Sequence, residues 1–247
     1  MTLAQQTYVP DDDFEAYLEA NGMGNGVPND DYVTTANINT VTFLNVNSQN
    51  IADLTGIEDF TLLNELWCDN NHINNLNISN NLNLKILSCA DNLISNINLS
   101  NNSDLVELWC SFNPLISLDV SNNILLEYLD CDDNQLTSLD VSNNTVLEEL
   151  DCEFSQLSTL NIKNGNNINM IIWVTNNPNL YCITVDDSVW STNNWVVGPG
   201  QNFYYEFDPQ HYFSNNCSGT SVEEHTTNKK LLRTIDVLGR ETKNKPL

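Results

Sequence analysis

Five cysteines, Cys68, Cys89, Cys110, Cys131 and Cys152, recur every 21 residues, and their surroundings recur with them. The clearest units read LNELWCDNNHINNLNISNNLN (63–83), LKILSCADNLISNINLSNNSD (84–104), LVELWCSFNPLISLDVSNNIL (105–125) and LEYLDCDDNQLTSLDVSNNTV (126–146). A fifth begins at Leu147. VTFLNVNSQNIADLTGIEDFTL (41–62) fits with one extra residue, and IIWVTNNPNLYCITV after the fifth fits with one or two, so seven coils are expected. One such unit cannot bury its own apolar edge. Stacked neighbours can, and they then share a continuous core.

Within a unit, the alternation at Leu66, Trp67 and Cys68 places Leu66 and Cys68 on one side of a strand and Trp67 on the other. Ile73, Leu76 and Ile78 add further inward side chains. Asn71, Asn92, Asn113 and Asn134 each fall three residues after a cysteine, where the strand ends and the chain turns in. A buried amide there donates and accepts, serving backbone groups that the turn leaves unpaired. About forty residues are asparagine, as a repeated turn of this kind requires and an ordinary enzyme domain does not.

Each unit matches L-x-x-L-x-L-x-x-N-x-L with Cys in the third apolar slot. With L-x-x-L-D-V-S-x-N following, residues 41–185 resemble the leucine-rich repeats of the internalin J class and similar repeat proteins of Bacteroidetes. The resemblance implies a repeat solenoid with a parallel β-sheet on the concave face and mostly short strands and coil on the convex side. It implies little about the ligand, because such scaffolds share a fold and differ in what they bind.

The cysteine column admits a metal string, disulfides or small buried hydrophobes. Equivalent positions in stacked coils lie about 4.8 Å apart, beyond the roughly 3.5–4.5 Å Cβ separation of a disulfide, and a single file cannot converge four ligands on zinc. The five are therefore read as buried free thiols, with no metal and no cofactor. Cys182 and Cys217 lie off the 21-residue rule and are expected to form one disulfide, which implies an oxidising compartment. Their bond would close residues 186–217, rich in aromatics (Trp190, Trp195, Phe203, Tyr204, Tyr205, Phe207, Tyr212, Phe213), over the open end as a cap.

At the other end residues 5–40 read as a second cap, with a helix over about 11–21 that presents Phe14, Tyr17 and Leu18 to the first coil and stops at Gly22. Asp11, Asp12 and Asp13 suit its N-terminus better than a calcium loop, since Ala16 and Gly22 stand where such a loop needs Gly and Glu. Residues 1–4 look like the remnant of a signal peptide. A linker is expected over 218–228. Residues 229–247 (KKLLRTIDVLGRETKNKPL), notably Asp236 to Glu241, resemble the start of a type IX secretion sorting tail. These features imply a secreted or cell-surface protein.

Lys85 and Lys163 are the only bases before residue 229, against 31 acids, so that stretch carries −29, while six bases and two acids give residues 229–247 a charge of +4. A surface this acidic repels phosphate backbones and excludes nucleic acid as a partner. No apolar run approaches the roughly 20 residues of a transmembrane helix.

Function is expected on the outward columns of the sheet. The first runs Phe43, Glu65, Ile86, Glu107, Tyr128, Glu149, Ile171; the middle Asn45, Trp67, Ser88, Trp109, Asp130, Asp151, Trp173; the last Asn47, Asp69, Ala90, Ser111, Asp132, Glu153, Thr175. Trp67 and Trp109 stand two coils apart with Ser88 between them, a candidate slot. Beside it Asp130, Asp132, Glu149, Asp151 and Glu153 form an acidic patch without a base. Two readings stay open for these side chains: a ligand site formed with Tyr128 and Trp173, or aromatics that stiffen the sheet and acids that keep it soluble.

Three classes of function compete. The chain is a protein-binding or adhesion module, a glycan-binding protein that stacks sugar faces in the Trp slot, or an enzyme. H-E-x-x-H, G-x-S-x-G and Walker motifs are absent, and a flat open sheet is expected to desolvate no carboxyl enough for acid catalysis, so catalysis is set aside. Asp130-Cys131-Asp132-Asp133-Asn134 mimics a calcium loop, but on a strand its residues alternate faces. The expectation is a monomer that binds a protein, or alternatively a glycan, on an external surface.

Overall fold

The computed structural model describes residues 4–195 and 205–217. Residues 1–3, 196–204 (with Phe203 and Tyr204) and 218–247 lie outside the described residues, and with them most of the expected signal remnant over 1–4 and the whole of the expected linker and sorting-like tail. Short apolar alternations make three-residue strands, and the 21-residue period stacks them in register. Seven strands, Phe43–Asn45, Glu65–Trp67, Ile86–Ser88, Glu107–Trp109, Tyr128–Asp130, Glu149–Asp151 and Ile171–Trp173, form one parallel ladder. Tyr205–Glu206 adds an eighth beside Ile171–Trp173. On the opposite side Ser138–Asp140, Thr159–Asn161, Cys182–Thr184 and Tyr212–Ser214 form a shorter parallel sheet. The chain is thus a parallel solenoid of about seven turns with few helices.

The core is the stack of inward side chains. Leu66, Leu87, Leu108, Leu129, Leu150 and Ile172 are buried on successive strands, and each is followed two residues later by a buried Cys or Val174. Cys68, Cys89, Cys110, Cys131 and Cys152 are free thiols, and burial pushes each of their pKa values up. Cys68 Sγ donates to the Ser88 carbonyl and Cys131 Sγ to that of Asp151, both at 3.3 Å, so each sulfur contacts the backbone of the next rung rather than another sulfur.

Asparagine amides carry the backbone around the first bend. The Asn113 Nδ2 donates to the carbonyls of Cys89, Cys110 and Ser111, and its Oδ1 accepts from the Ile94 N–H. Asn71, Asn92 and Asn134 repeat the arrangement, as does Asn177. In the coil that begins at Leu147 the position holds Ser155, whose buried hydroxyl has no partner among the described residues. A second asparagine column, Asn81, Asn102, Asn123 and Asn144, ends the stretch that reads L-x-x-L-D-V-S-x-N in two of the coils. It lies at the far bend, fully buried, each amide donating to carbonyls of the preceding coil, as Asn123 does to Asn102 at 2.8 Å.

At the N-terminal end Gln6–Tyr8 pairs antiparallel with Tyr32–Thr34, and a helix spans Asp12–Ala20. Asp11 caps it by accepting from the Asp13 and Phe14 N–H groups, and its other oxygen accepts from Ala52 and Asp53 of the first coil. Phe14 and Leu18 are buried, with the Phe14 ring 6.4 Å from Phe60. Gly56, at φ +105°, lets the chain pass the first strand: a Cβ there would meet Val9 Cγ2 at 2.8 Å and the Tyr8 carbonyl at 2.9 Å. At the other end a helix over Ser188–Asn194 leads to Trp195, which is buried against Phe207 and Phe213. A disulfide joins Cys182 to Cys217. Among the described residues no helix is long and apolar enough to cross a membrane.

Candidate functional site

Because the strands are in strict register, every second side chain of the long sheet faces out, and equivalent residues align in columns. The middle column runs Asn45, Trp67, Ser88, Trp109, Asp130, Asp151, Trp173, and the first runs from Phe43 through Tyr128 to Ile171. The structure therefore brings Trp109, Tyr128, Asp130, Asp132, Glu149, Asp151 and Glu153 onto one surface.

The aromatics pack more closely than an open slot requires. Ser88, between Trp67 and Trp109, is buried and donates to Asp69 Oδ1 at 2.6 Å. Trp109 lies over Tyr128 with ring centroids 4.0 Å apart and planes at 25°, and its Nε1 donates to Glu107 Oε2 at 3.3 Å. Trp67 Nε1 is buried without a partner among the described residues. Trp109 and Tyr128 thus form a stacked pair on the outward face, and Ser88 between Trp67 and Trp109 is turned onto Asp69.

The carboxylates crowd. One oxygen each of Asp130, Asp132 and Asp151 lies within 4.8 Å of the others. Ser111 Oγ donates to Asp130 Oδ2 at 3.1 Å, the Glu153 N–H donates to Asp151 Oδ1 at 3.1 Å, and Thr175 Oγ1 donates to Glu153. Partial burial, aided by the charge of Asp130, pushes Asp132 up to about 7. Partial burial and the nearby Glu153, Asp130 and Asp132 hold Asp151 at about 7 as well. Glu149 and Glu153 are raised for the same reason, desolvation first and like charge second. This corrects the expectation that an open sheet desolvates no carboxyl: neighbouring rungs pack over one another's side chains and strip water without any enclosed cavity. The other acidic trio, Asp12, Glu15 and Asp31, is already used, since Glu15 accepts from the Asp30 and Asp31 N–H groups.

Two open clefts lie off this face, along the edge where the sheet strands end. One of about 410 Å³ is bordered by Phe112, Asp133 and Phe154; a second of about 720 Å³ by Asp133, Phe154, Ser155, Tyr181 and Asp208. None of the sequence-predicted ligand residues borders either. A 21-residue spacing marks this edge too, two places after each cysteine.

No protein-family model and no curated protein matches the chain. Among solved structures it is similar to an internalin from Listeria monocytogenes, InlF (20% identity, TM-score 0.54, covering 84% of this chain and 71% of that one). It also aligns with the functional domain of InlJ from Listeria monocytogenes, which includes a cysteine ladder (19% identity, TM-score 0.28, 84% and 72%). A third is the leucine-rich repeat domain of APL1B (21% identity, TM-score 0.47, 61% of this chain), of whose length the chain spans 43%. The fold is that of the leucine-rich repeat proteins.

Proposed function

We propose that this protein is an exported or cell-surface leucine-rich repeat module that binds a protein partner, as in adhesion, through the outward face of the long sheet. The observation that carries the reading is the carboxylate group Asp130, Asp132, Glu149, Asp151 and Glu153. It is packed tightly enough to raise several pKa values, and no Lys or Arg among the described residues pairs with it. Like charges held together at a cost favour a ligand that brings the opposite charge. The stacked Trp109 and Tyr128 border them with rigid apolar area, the residue types that anchor protein interfaces. The partner of this reading is basic.

The alternative is a glycan that stacks on Trp67 and Trp109, with the nearby carboxylates taking its hydroxyls. Export rests on the Cys182–Cys217 bond, which belongs in an oxidising compartment, and on the resemblance of residues 229–247 to a type IX sorting tail of Bacteroidetes, read from sequence alone. The test is retention of surface-extract proteins on the immobilised full chain. Wild type is expected to hold a basic protein that elutes with salt, and Asp130→Asn/Asp132→Asn/Asp151→Asn to lose it. Retention of the same protein by the triple variant would overturn the proposal.

A further inference from the structure

Each coil turns off the long sheet through one residue in left-handed backbone: Ser48, Asn70, Asp91, Phe112, Asp133, Phe154 and Asn176, at φ between +45° and +60°. Ser, Asn and Asp tolerate this geometry through local hydrogen bonding, whereas a bulky ring in it is an outlier. Phe112 and Phe154 are those outliers. Their rings bury little in return: Phe112 is 55% and Phe154 51% exposed, and neither stacks on another aromatic among the described residues. Fold stability therefore does not account for phenylalanine at either place.

The N–H ladder along this edge, Phe112 to the Asp132 carbonyl and Asp133 to that of Glu153, keeps the column one rung apart. The backbones of the two phenylalanines then stand about 10 Å apart with Asp133 between them. Both rings and Asp133 border the cleft of about 410 Å³, and Asp91 stands at its N-terminal side. The Asp133 carboxylate accepts no hydrogen bond among the described residues, and no Lys or Arg pairs with it. On the C-terminal side Phe154 and Asp133 also border the second cleft, with Tyr181 (58% exposed) and Asp208.

We propose that the Phe112–Asp133–Phe154 edge is a second binding site, which takes arginine side chains of a partner polypeptide between the two rings and onto the carboxylate. A guanidinium is planar, stacks on aromatic faces and forks onto a carboxylate, while an ammonium does the first two poorly. The charge is complementary, since Asp91 and Asp133 line the first cleft with no Lys or Arg among its described lining residues; Asp208, in the second, is already held by His211 and the Asn176 and Asn177 N–H groups. The site is separate from the sheet face and needs none of its carboxylates.

The probes are fluorescent octa-arginine and octa-lysine peptides, followed by anisotropy with the full chain. Any acidic protein attracts both, so the reading rests on the rings, whose removal leaves charge unchanged. Wild type is expected to prefer octa-arginine. Phe112→Asn/Phe154→Asn should weaken octa-arginine about 5- to 30-fold, the effect of two cation–π contacts, and bring the two peptides level. Because Asn suits the left-handed turn, the same variant should melt a few degrees higher. Phe112→Trp/Phe154→Trp should keep the preference, and Asp132→Asn/Asp151→Asn on the sheet face should weaken both peptides alike and leave it intact. Equal octa-arginine affinity for wild type and the Asn variant, or a lower melting temperature in that variant, would overturn the proposal. So would ring-dependent retardation by a neutral polysaccharide gel without an arginine preference, which would mark the edge as a sugar site instead.

Discussion

At the scale of single residues, the amides decide more than the cysteines. A buried thiol is a compact filler whose sulfur makes at most a weak contact, whereas each Asn of the first bend satisfies several backbone groups that would otherwise be unpaired. Ser155 is the natural experiment. Its hydroxyl is too short to reach those groups, and Leu136 lacks the side-chain acceptor that Leu115 finds in Asn134. Ser155→Asn is expected to complete the column and stabilise by about 1 kcal/mol, near 3 °C in melting temperature; an unchanged or lower midpoint in thermal unfolding would show that the pocket cannot seat the amide. The Asn column at 71, 92, 113 and 134 was legible because the turn chemistry demands an amide. That at 81, 102, 123 and 144 was equally periodic, but its role depends on carbonyls of the preceding coil, a contact across rungs that one unit read alone does not contain.

At the scale of elements, the two ends differ in how they cover an exposed rung. The N-terminal helix lays Phe14 and Leu18 on the first coil and ties itself down through Asp11. The C-terminal segment instead continues the ladder: Tyr205–Glu206 and Tyr212–Ser214 pair with the last full coil, and Trp195, Phe207 and Phe213 fill the space between. A foreshortened rung has few contacts of its own, so the Cys182–Cys217 link should matter most here. With a sequence separation of 35 between the two cysteines, Cys182→Ser/Cys217→Ser is expected to cost about 3 to 4 kcal/mol by the chain-entropy argument. A chemical denaturation midpoint unmoved by the double substitution would refute it. The unfolded, unreduced wild type should titrate five thiols, those of the ladder; seven would mean that the link does not form. The odd spacing of Cys182 and Cys217 made the pair visible in sequence, while the eighth rung was not, because its short strands carry no repeat signature.

For the whole molecule, charge is the dominant variable, since −25 is spread over a chain with only two bases before residue 229. Asp132 and Asp151 titrate near 7 in the folded protein against about 4 when unfolded. The folded state therefore holds their protons more tightly, and the stability this confers is complete below about pH 4 and lost as pH rises through about 7. His211 acts the other way, because burial lowers its pKa and stability falls as pH drops below about 6.5. Melting temperature is expected to fall between pH 6.5 and 8, and Asp132→Asn/Asp151→Asn to remove most of that fall; a wild-type profile flat over this interval would contradict the shifts. By itself the sequence determined the rung: a 21-residue period with fixed apolar, Cys and Asn positions admits one register, so the columns of the long sheet could be written down in advance. What the tertiary structure alone decided is how side chains in adjacent columns meet. Trp109 turns onto Tyr128, Ser88 disappears between indoles, carboxylates desolvate one another, and two phenylalanines remain exposed on the edge. The reason is physical: register is a property of backbone hydrogen bonds and repeats with the sequence, whereas burial and stacking arise between neighbouring rungs whose outward residues differ from coil to coil.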